Sequence, residues 1–179
     1  MRFPLPLLAL NLALVTLPAL AERADRNQPV DIEADRMSVD DRNKVHVFEG
    51  NVVLTQGSLV IHSDKLVVSQ DANGFQSGIA TGSESRLATF SQKREGNGQV
   101  EGEAERIEYD SRNEQARLYR RARVASGGDE VRGNYIEYDA LSENYLAAQA
   151  PGNAPPTAGS GRVRAVIQPK GDKKPEAQR

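Results

Sequence analysis

The chain has 179 residues, a formal net charge of −2, two histidines, and neither cysteine nor tryptophan. In an exported protein the lack of cysteine rules out a disulfide framework, so burial and strand pairing must hold the fold. The near balance of charge lacks the basic face that general nucleic-acid binding requires, and excludes that class.

Residues 1–21 read as a cleaved secretory signal. Arg2 gives a positive start, Leu5 to Leu20 is apolar, and Ala19-Leu20-Ala21 fits a small-x-small cleavage site. Pro4, Pro6 and Pro18 interrupt the run and charge follows at once. A retained anchor, which needs ~20 apolar residues, is the poorer reading. The mature chain then starts at Glu22, and losing Arg2 leaves 22 basic against 25 acidic residues.

The next feature is an eight-residue pattern present in four copies. They begin at Ile32 (Ile-Glu-Ala-Asp-Arg-Met-Ser-Val), Ile61 (Ile-His-Ser-Asp-Lys-Leu-Val-Val), Gly102 (Gly-Glu-Ala-Glu-Arg-Ile-Glu-Tyr) and Val131 (Val-Arg-Gly-Asn-Tyr-Ile-Glu-Tyr). Residues 34–68 align with 104–138 at a constant offset of 70, without a gap. Such self-similarity is the sign of a repeated architecture. Within each copy, positions 1 and 3 are apolar or small, and positions 6 and 8 are apolar. Strands alternate faces with period 2, so the jump from odd to even positions flips the buried face. The flip falls at Ala34-Asp35, Ser63-Asp64, Ala104-Glu105 and Gly133-Asn134. A bulge or corner in a strand bending around a core does this. The pattern does not supply the 3.6 period of a helix. Polar turns follow at 40–43, 71–74, 110–113 and 142–144. Each unit is therefore corner, strand, turn, strand.

The fold expected for residues 22–169 is all-β: a twisted open β-jellyroll of antiparallel strands with internal repeats and no significant helix in the mature chain. Past Pro151 the sequence is rich in Pro, Gly and Ala. Arg162 to Gln168 then alternates like a last strand, and Pro169 ends it. Residues 170–179 read as a charged, disordered tail.

The sequence offers little chemistry. His46 and His62 lack Cys, His or paired carboxylates at ligand spacing, so no metal and no cofactor is expected. Asp35, Asp64 and Glu105 recur at corners, which suits satisfying backbone groups better than acid–base catalysis. Ser38 and Ser63 lack a nucleophile elbow. Gly50-Asn51 reads as a turn or bulge, because no helix follows to make a phosphate loop. No catalytic residue is assigned, and the expectation is a protein that is not an enzyme. The cluster Arg117, Arg120, Arg121, Arg123 has two readings: an outward strand face that blocks edge aggregation, or a site for an anionic head group. The apolar positions read either as a packed core or as the lining of a groove left open between two sheets. No helical segment is available to plug the interior, which favours the groove.

Asn27-Gln28-Pro29-Val-Asp-Ile-Glu-Ala-Asp35, Val47-Phe-Glu-Gly-Asn-Val-Val-Leu-Thr-Gln-Gly57 and Ile61-x-x-Asp64-x-Leu66 resemble the periplasmic lipopolysaccharide transport protein A (LptA) family, with its OstA-like domain. Ala88-Thr89-Phe90, Val100-Glu-Gly102, Ile107-Glu-Tyr109 and Val163-x-x-Val166-Ile-x-Pro169 continue the likeness over about residues 27–169. The second repeat departs from it: Arg120-Arg121 stands where the first has Gly50-Asn51. The resemblance implies a twisted open jellyroll that holds lipid A chains in its interior. It also implies head-to-tail stacking that carries lipopolysaccharide from inner to outer membrane through the periplasm. The expected partners are an inner-membrane LptC-like jellyroll at the N-terminal edge, an outer-membrane LptD-like translocon at the C-terminal edge, and further copies of the chain. Val30, Ile32, Phe90, Tyr109 and Leu118 are expected to line the lipid groove. The alternatives are a scaffolding β protein with a dry core and a periplasmic polysaccharide-processing enzyme.

Overall fold

A computed structural model describes residues 25, 28–71, 74–94, 98–139, 141–142, 144–151 and 162–169. The expected leader (1–21) and tail (170–179) lie outside the described residues. Among the described residues, twelve strands join into one antiparallel sheet system. They are β1 (Asp31–Glu33), β2 (Arg36–Asp40), β3 (Val45–Gln56), β4 (Leu59–Asp71), β5 (Gly74–Thr81), β6 (Ala88–Lys93), β7 (Gln99–Ala104), β8 (Arg106–Asp110), β9 (Gln115–Ser126), β10 (Asp129–Asp139), β11 (Asn144–Ala148) and β12 (Arg164–Val166).

The four long strands are the key to the architecture, because each changes neighbours at mid-length. The second half of β3 pairs with β1 and its first half with β2. β4 takes β6 along its first half and β5 along its second. β9 takes β8 and then β7, and β10 takes β12 and then β11. The result is two faces that fold against each other. One runs β1, β3, β4, β6, β7, β9, β10, β12; the other runs β2, β3, β4, β5, β8, β9, β10, β11. This is the open jellyroll that the phase flips imply.

The corners lie at the small–polar pairs. Copies one and three break there into separate strands, β1/β2 at Ala34-Asp35 and β7/β8 at Glu105. Copies two and four run through as bent strands, and the register of β10 slips between Gly133 and Tyr135. The partners β3 and β9 turn by a different device. Gly50 and Asn51 have φ of 82° and 46°, and their counterparts Arg120 and Arg121 have 58° and 49°. The same backbone bond closes both corners: Asp35 N–H donates to the Gly50 carbonyl at 3.0 Å, and Glu105 N–H to the Arg120 carbonyl at 3.1 Å. Residues 70 apart thus do the same structural work.

Residues facing inward from both sheets make the core. Val52, Leu66, Val100, Leu118, Val124 and Ile136 are the largest that are fully buried. At ~1.5–3 kcal/mol per buried large aliphatic chain, this layer is the main source of stability in a protein without disulfides.

Candidate functional site: an apolar cleft between the sheets

Two adjoining cavities open between strands of the two faces. The first is lined by Asp25, Gln56, Leu59, Ile61, Phe90, Gln92, Ile107, Tyr109, Glu114, Ala116 and Tyr138. It encloses about 60 Å³ and widens to about 670 Å³ of empty space once its open mouth is counted. The second is lined by Val30, Leu54, Leu66, Phe75, Gly78 and Ala80, and shares Gln56, Leu59, Ile61, Ile107 and Tyr109 with the first. It encloses about 30 Å³ within about 450 Å³.

Strand alternation places these side chains. Leu59 and Ile61 point inward from β4, Phe90 from β6, Ile107 and Tyr109 from β8. Phe90 owes its position to its cross-strand partner Gly102, where any Cβ would collide with the Phe90 ring. Phe75 stacks on Tyr109 with centroids 6.1 Å apart, and Tyr138 on Tyr145 at 4.8 Å. The walls are therefore hydrocarbon and aromatic face.

Of the five residues expected to line a groove, Val30, Phe90 and Tyr109 stand on the cavity walls. Ile32 packs against the core from a half-buried position. Leu118 has no exposed surface, belongs to the buried core and lines neither cavity.

The lip is polar, and the sequence reading missed it. Asp25 Oδ1 accepts from Ser58 N–H at 2.9 Å, and Asp25 Oδ2 accepts from Ser58 Oγ and from Gln92 Nε2, the latter at 3.3 Å. Gly57, with φ of 58°, turns the chain beneath this clasp; a Cβ there would strike the Asp25 carboxylate. Glu114 lines the same cavity, only 7% exposed and with φ of 53°. The one foreshadowing in the sequence is position: Glu114 lies 70 residues after Lys44, which takes the same left-handed turn conformation.

The acids divide by location. Corner acids hold side chains: Asp35 accepts from Asn51 Nδ2 at 2.9 Å, Asp64 from Arg86, and Glu105 from Arg120 and Arg121. Backbone satisfaction, expected of the corner acids, belongs instead to turn acids, where a short side chain reaches the N–H two or three residues on. Asp40 accepts from Arg42 and Asn43, Asp110 from Arg112, and Asp139 from Ser142.

Each arginine of the Arg117–Arg123 cluster faces a carboxylate of this chain. Arg120 and Arg121 lie 2.5 and 3.0 Å from Glu105, Arg123 2.6 Å from Glu130, and Arg117 3.6 Å from Glu137. Arg120 and then Arg121 hold the Glu105 carboxyl below its usual range. Arg132, followed by Arg123, draws Glu130 down to about 2. The cluster's charge is engaged within the fold. Among the described residues no group of three or more His, Cys, Asp or Glu side chains could hold a metal ion.

Comparison with known proteins agrees with this geometry. Residues 31–144 match the family model described as "LptA/(LptD N-terminal domain) LPS transport protein". The chain is 31% identical to the lipopolysaccharide export system protein LptA of Haemophilus influenzae over 159 residues, covering 89% of this chain and 88% of that one. It is 33% identical to the export system protein LptH of Pseudomonas aeruginosa over 174 residues, covering 95% and 98%. The crystal structure of LptH, titled the LptA-homologous periplasmic component of the lipopolysaccharide transport device, superposes with a TM-score of 0.72 at 30% identity, over 81% of this chain and 99% of that one. The chain therefore belongs to the LptA/LptD N-terminal domain family of lipopolysaccharide transport proteins.

Proposed function

We propose that this protein works in the periplasm as a lipopolysaccharide carrier, sheltering acyl chains in the cleft and joining edge to edge with like rolls. The observation that carries this reading is an apolar cleft in a roll whose two end edges are unlike and greasy. Each methylene removed from water gains ~0.8 kcal/mol, so a chain of about twelve gains roughly 10 kcal/mol from an apolar wall. The enclosed 60 Å³ suits a few waters rather than an acyl chain. A lipid therefore enters by parting the sheets at the lip.

The edges support assembly. β1 and β2 end the sheet at one side, β11 and β12 at the other, each bonded on one flank only. All eight exposed large hydrophobics among the described residues lie along these edges: Val30, Met37 and Val39 at the first, Leu141, Leu146, Val163, Val166 and Ile167 at the last. Unpaired edges recruit strands, and unlike edges give a heterologous contact that propagates. The N-terminal edge would meet an inner-membrane LptC-like jellyroll, the C-terminal edge an outer-membrane LptD-like translocon, and either edge another copy of the chain.

Photoreactive side chains placed singly at Val30, Ile32, Phe90, Tyr109 and Leu118 test the cleft. Capture of lipopolysaccharide from Val30, Phe90 and Tyr109 is expected, with none from Arg42 on the outside. Labelling from Arg42 alone would sink the reading. The small enclosed volume favours one rival, a scaffold with a dry interior. Lipid-free protein after gentle purification, together with no crosslinking, would establish it.

A further inference from the structure

The two free edges of the face that runs from β1 to β12 carry opposite charge on their outer side. Ile32 packs on the core from β1, so its neighbours Asp31 and Glu33 point outward by strand alternation. On β12, Ala165 stands opposite Val131, which packs on the core, so Arg164 points outward beside its own cross-strand partner Arg132. Val163 continues this register: its methyl lies 3.7 Å from where a Cβ on Gly133 would stand, which leaves Arg162 on the outer side as well. Asp31, Glu33, Arg162 and Arg164 are exposed, and none has a side-chain hydrogen bond or ion pair among the described residues. The arginines of β9, by contrast, each face a carboxylate of their own chain. Backbone bonds hold both edges in place: Gln56 Nε2 donates to the Gln28 carbonyl at 3.1 Å before β1, and Gln168 N–H to Asp129 at 2.8 Å after β12.

We infer that these four charges are a register clamp between copies of this chain, in which Arg162 and Arg164 of one copy pair with Glu33 and Asp31 of the next. The inference rests on the edge-to-edge reading of assembly. Every step across this face is antiparallel and the face has eight strands, so β12 runs opposite to β1, and a following copy in the same orientation meets it antiparallel. Setting Val163 and Ala165 against Ile32 and Val30 on the inner side then sets Arg162 against Glu33 and Arg164 against Asp31 on the outer side. A slip of one residue would turn every side chain to the wrong face. A slip of two leaves a single pair: Arg164 then faces Pro29, or Arg162 faces Asp35, which lies past the end of β1 and already accepts from Asn51. Pairing of like edges sets acids against acids or arginines against arginines, which is repulsive. The charges therefore select both the register and the head-to-tail sense of the contact.

Sedimentation of the full mature chain over a range of concentrations tests this with two double variants, Arg162→Glu with Arg164→Glu, and Asp31→Arg with Glu33→Arg. Each alone sets like charges across the junction and should weaken self-association about tenfold or more, the sum of two attractions turned to repulsions. Mixed in equal amounts, the two variants present opposite charges at every junction and should assemble as wild type does. All four side chains are exposed, so the unfolding midpoints of both variants should match wild type. Raising the salt from about 0.05 M to about 0.5 M should weaken wild-type assembly several-fold. Wild-type assembly by either variant alone overturns the clamp while leaving edge-to-edge assembly intact, and so does a loss that mixing fails to repair. A wild-type chain that stays monomeric at every concentration overturns edge-to-edge assembly and the clamp together, while lipid capture from Tyr109 reports on the cleft separately.

Discussion

At the residue scale the most informative positions are Arg120 and Arg121. Left-handed backbone costs a non-glycine residue roughly 1–2 kcal/mol, and the corresponding corner of the first repeat uses Gly50 and Asn51 to avoid most of it. The second corner accepts the strain because both guanidinia reach Glu105, and Arg121 also donates to the carbonyls of Ser83 and Glu84. Replacing Arg120 by Gly relieves strain but loses an exposed ion pair worth ~0–1 kcal/mol, so its unfolding midpoint should stay close to wild type. Arg120→Val keeps the strain, adds β-branching and should cost about 1–2 kcal/mol in urea unfolding. Equal stability of the two variants would contradict this account. Glu130 is one of several carboxyls that contribute to the acid response. Its folded value of about 2 lies below the ordinary 4.5, so its contribution is complete above pH 4.5 and is lost as the pH falls toward 2. Glu49, Asp64 and Glu105 are lowered too and act in the same direction. The urea midpoint should fall between neutral pH and about pH 3, and Glu130→Gln should shrink that fall.

At the scale of elements, the β6–β7 pair shows how a missing side chain shapes a site. Gly102 leaves room for the Phe90 ring across the ladder. Gly102→Ala should drive that ring into the cleft, cost about 1–3 kcal/mol by overpacking, and reduce lipid capture from Tyr109. Unaltered capture would mean that Phe90 does not border the lipid path. The last strand is short and bonded only to β10 through Arg164, Ala165 and Val166. Ile167, which follows it, is 77% exposed. Ile167→Pro removes a ladder donor at a free edge while leaving the core untouched. The variant should keep its unfolding midpoint yet lose concentration-dependent assembly in sedimentation; unchanged assembly would count against strand addition at this edge.

At the scale of the whole molecule, stability and function occupy adjacent layers of one interior. Val52, Leu118 and Ile136 are buried and line neither cavity of the cleft, whereas the cleft itself opens to solvent. Ile136→Ala should cost about 2–5 kcal/mol and lower the unfolding midpoint, while Tyr109→Ala, on a cavity wall, should cost less stability and more lipid capture. Much of this was legible in the chain. The offset of 70, the small–polar pairs and the polar turns specify strands, corners and two related halves, because strand periodicity and turn chemistry are local properties. Leu118 marks the limit of that legibility. Alternation says that a side chain faces inward, but buried core and cavity wall both face inward, and only the packing of the two faces separates them. The lip was less legible still. Asp25, Ser58 and Gln92 are far apart in sequence, and no periodicity announces a carboxylate that clasps one turn or a buried Glu114 lining the same cavity. The sequence alone therefore determined that this chain rolls into a repeated β-structure with apolar inner faces. The tertiary structure decided which inward residues border the cavities and which acids answer which arginines. Those outcomes depend on contacts between residues distant along the chain, which register and packing set together.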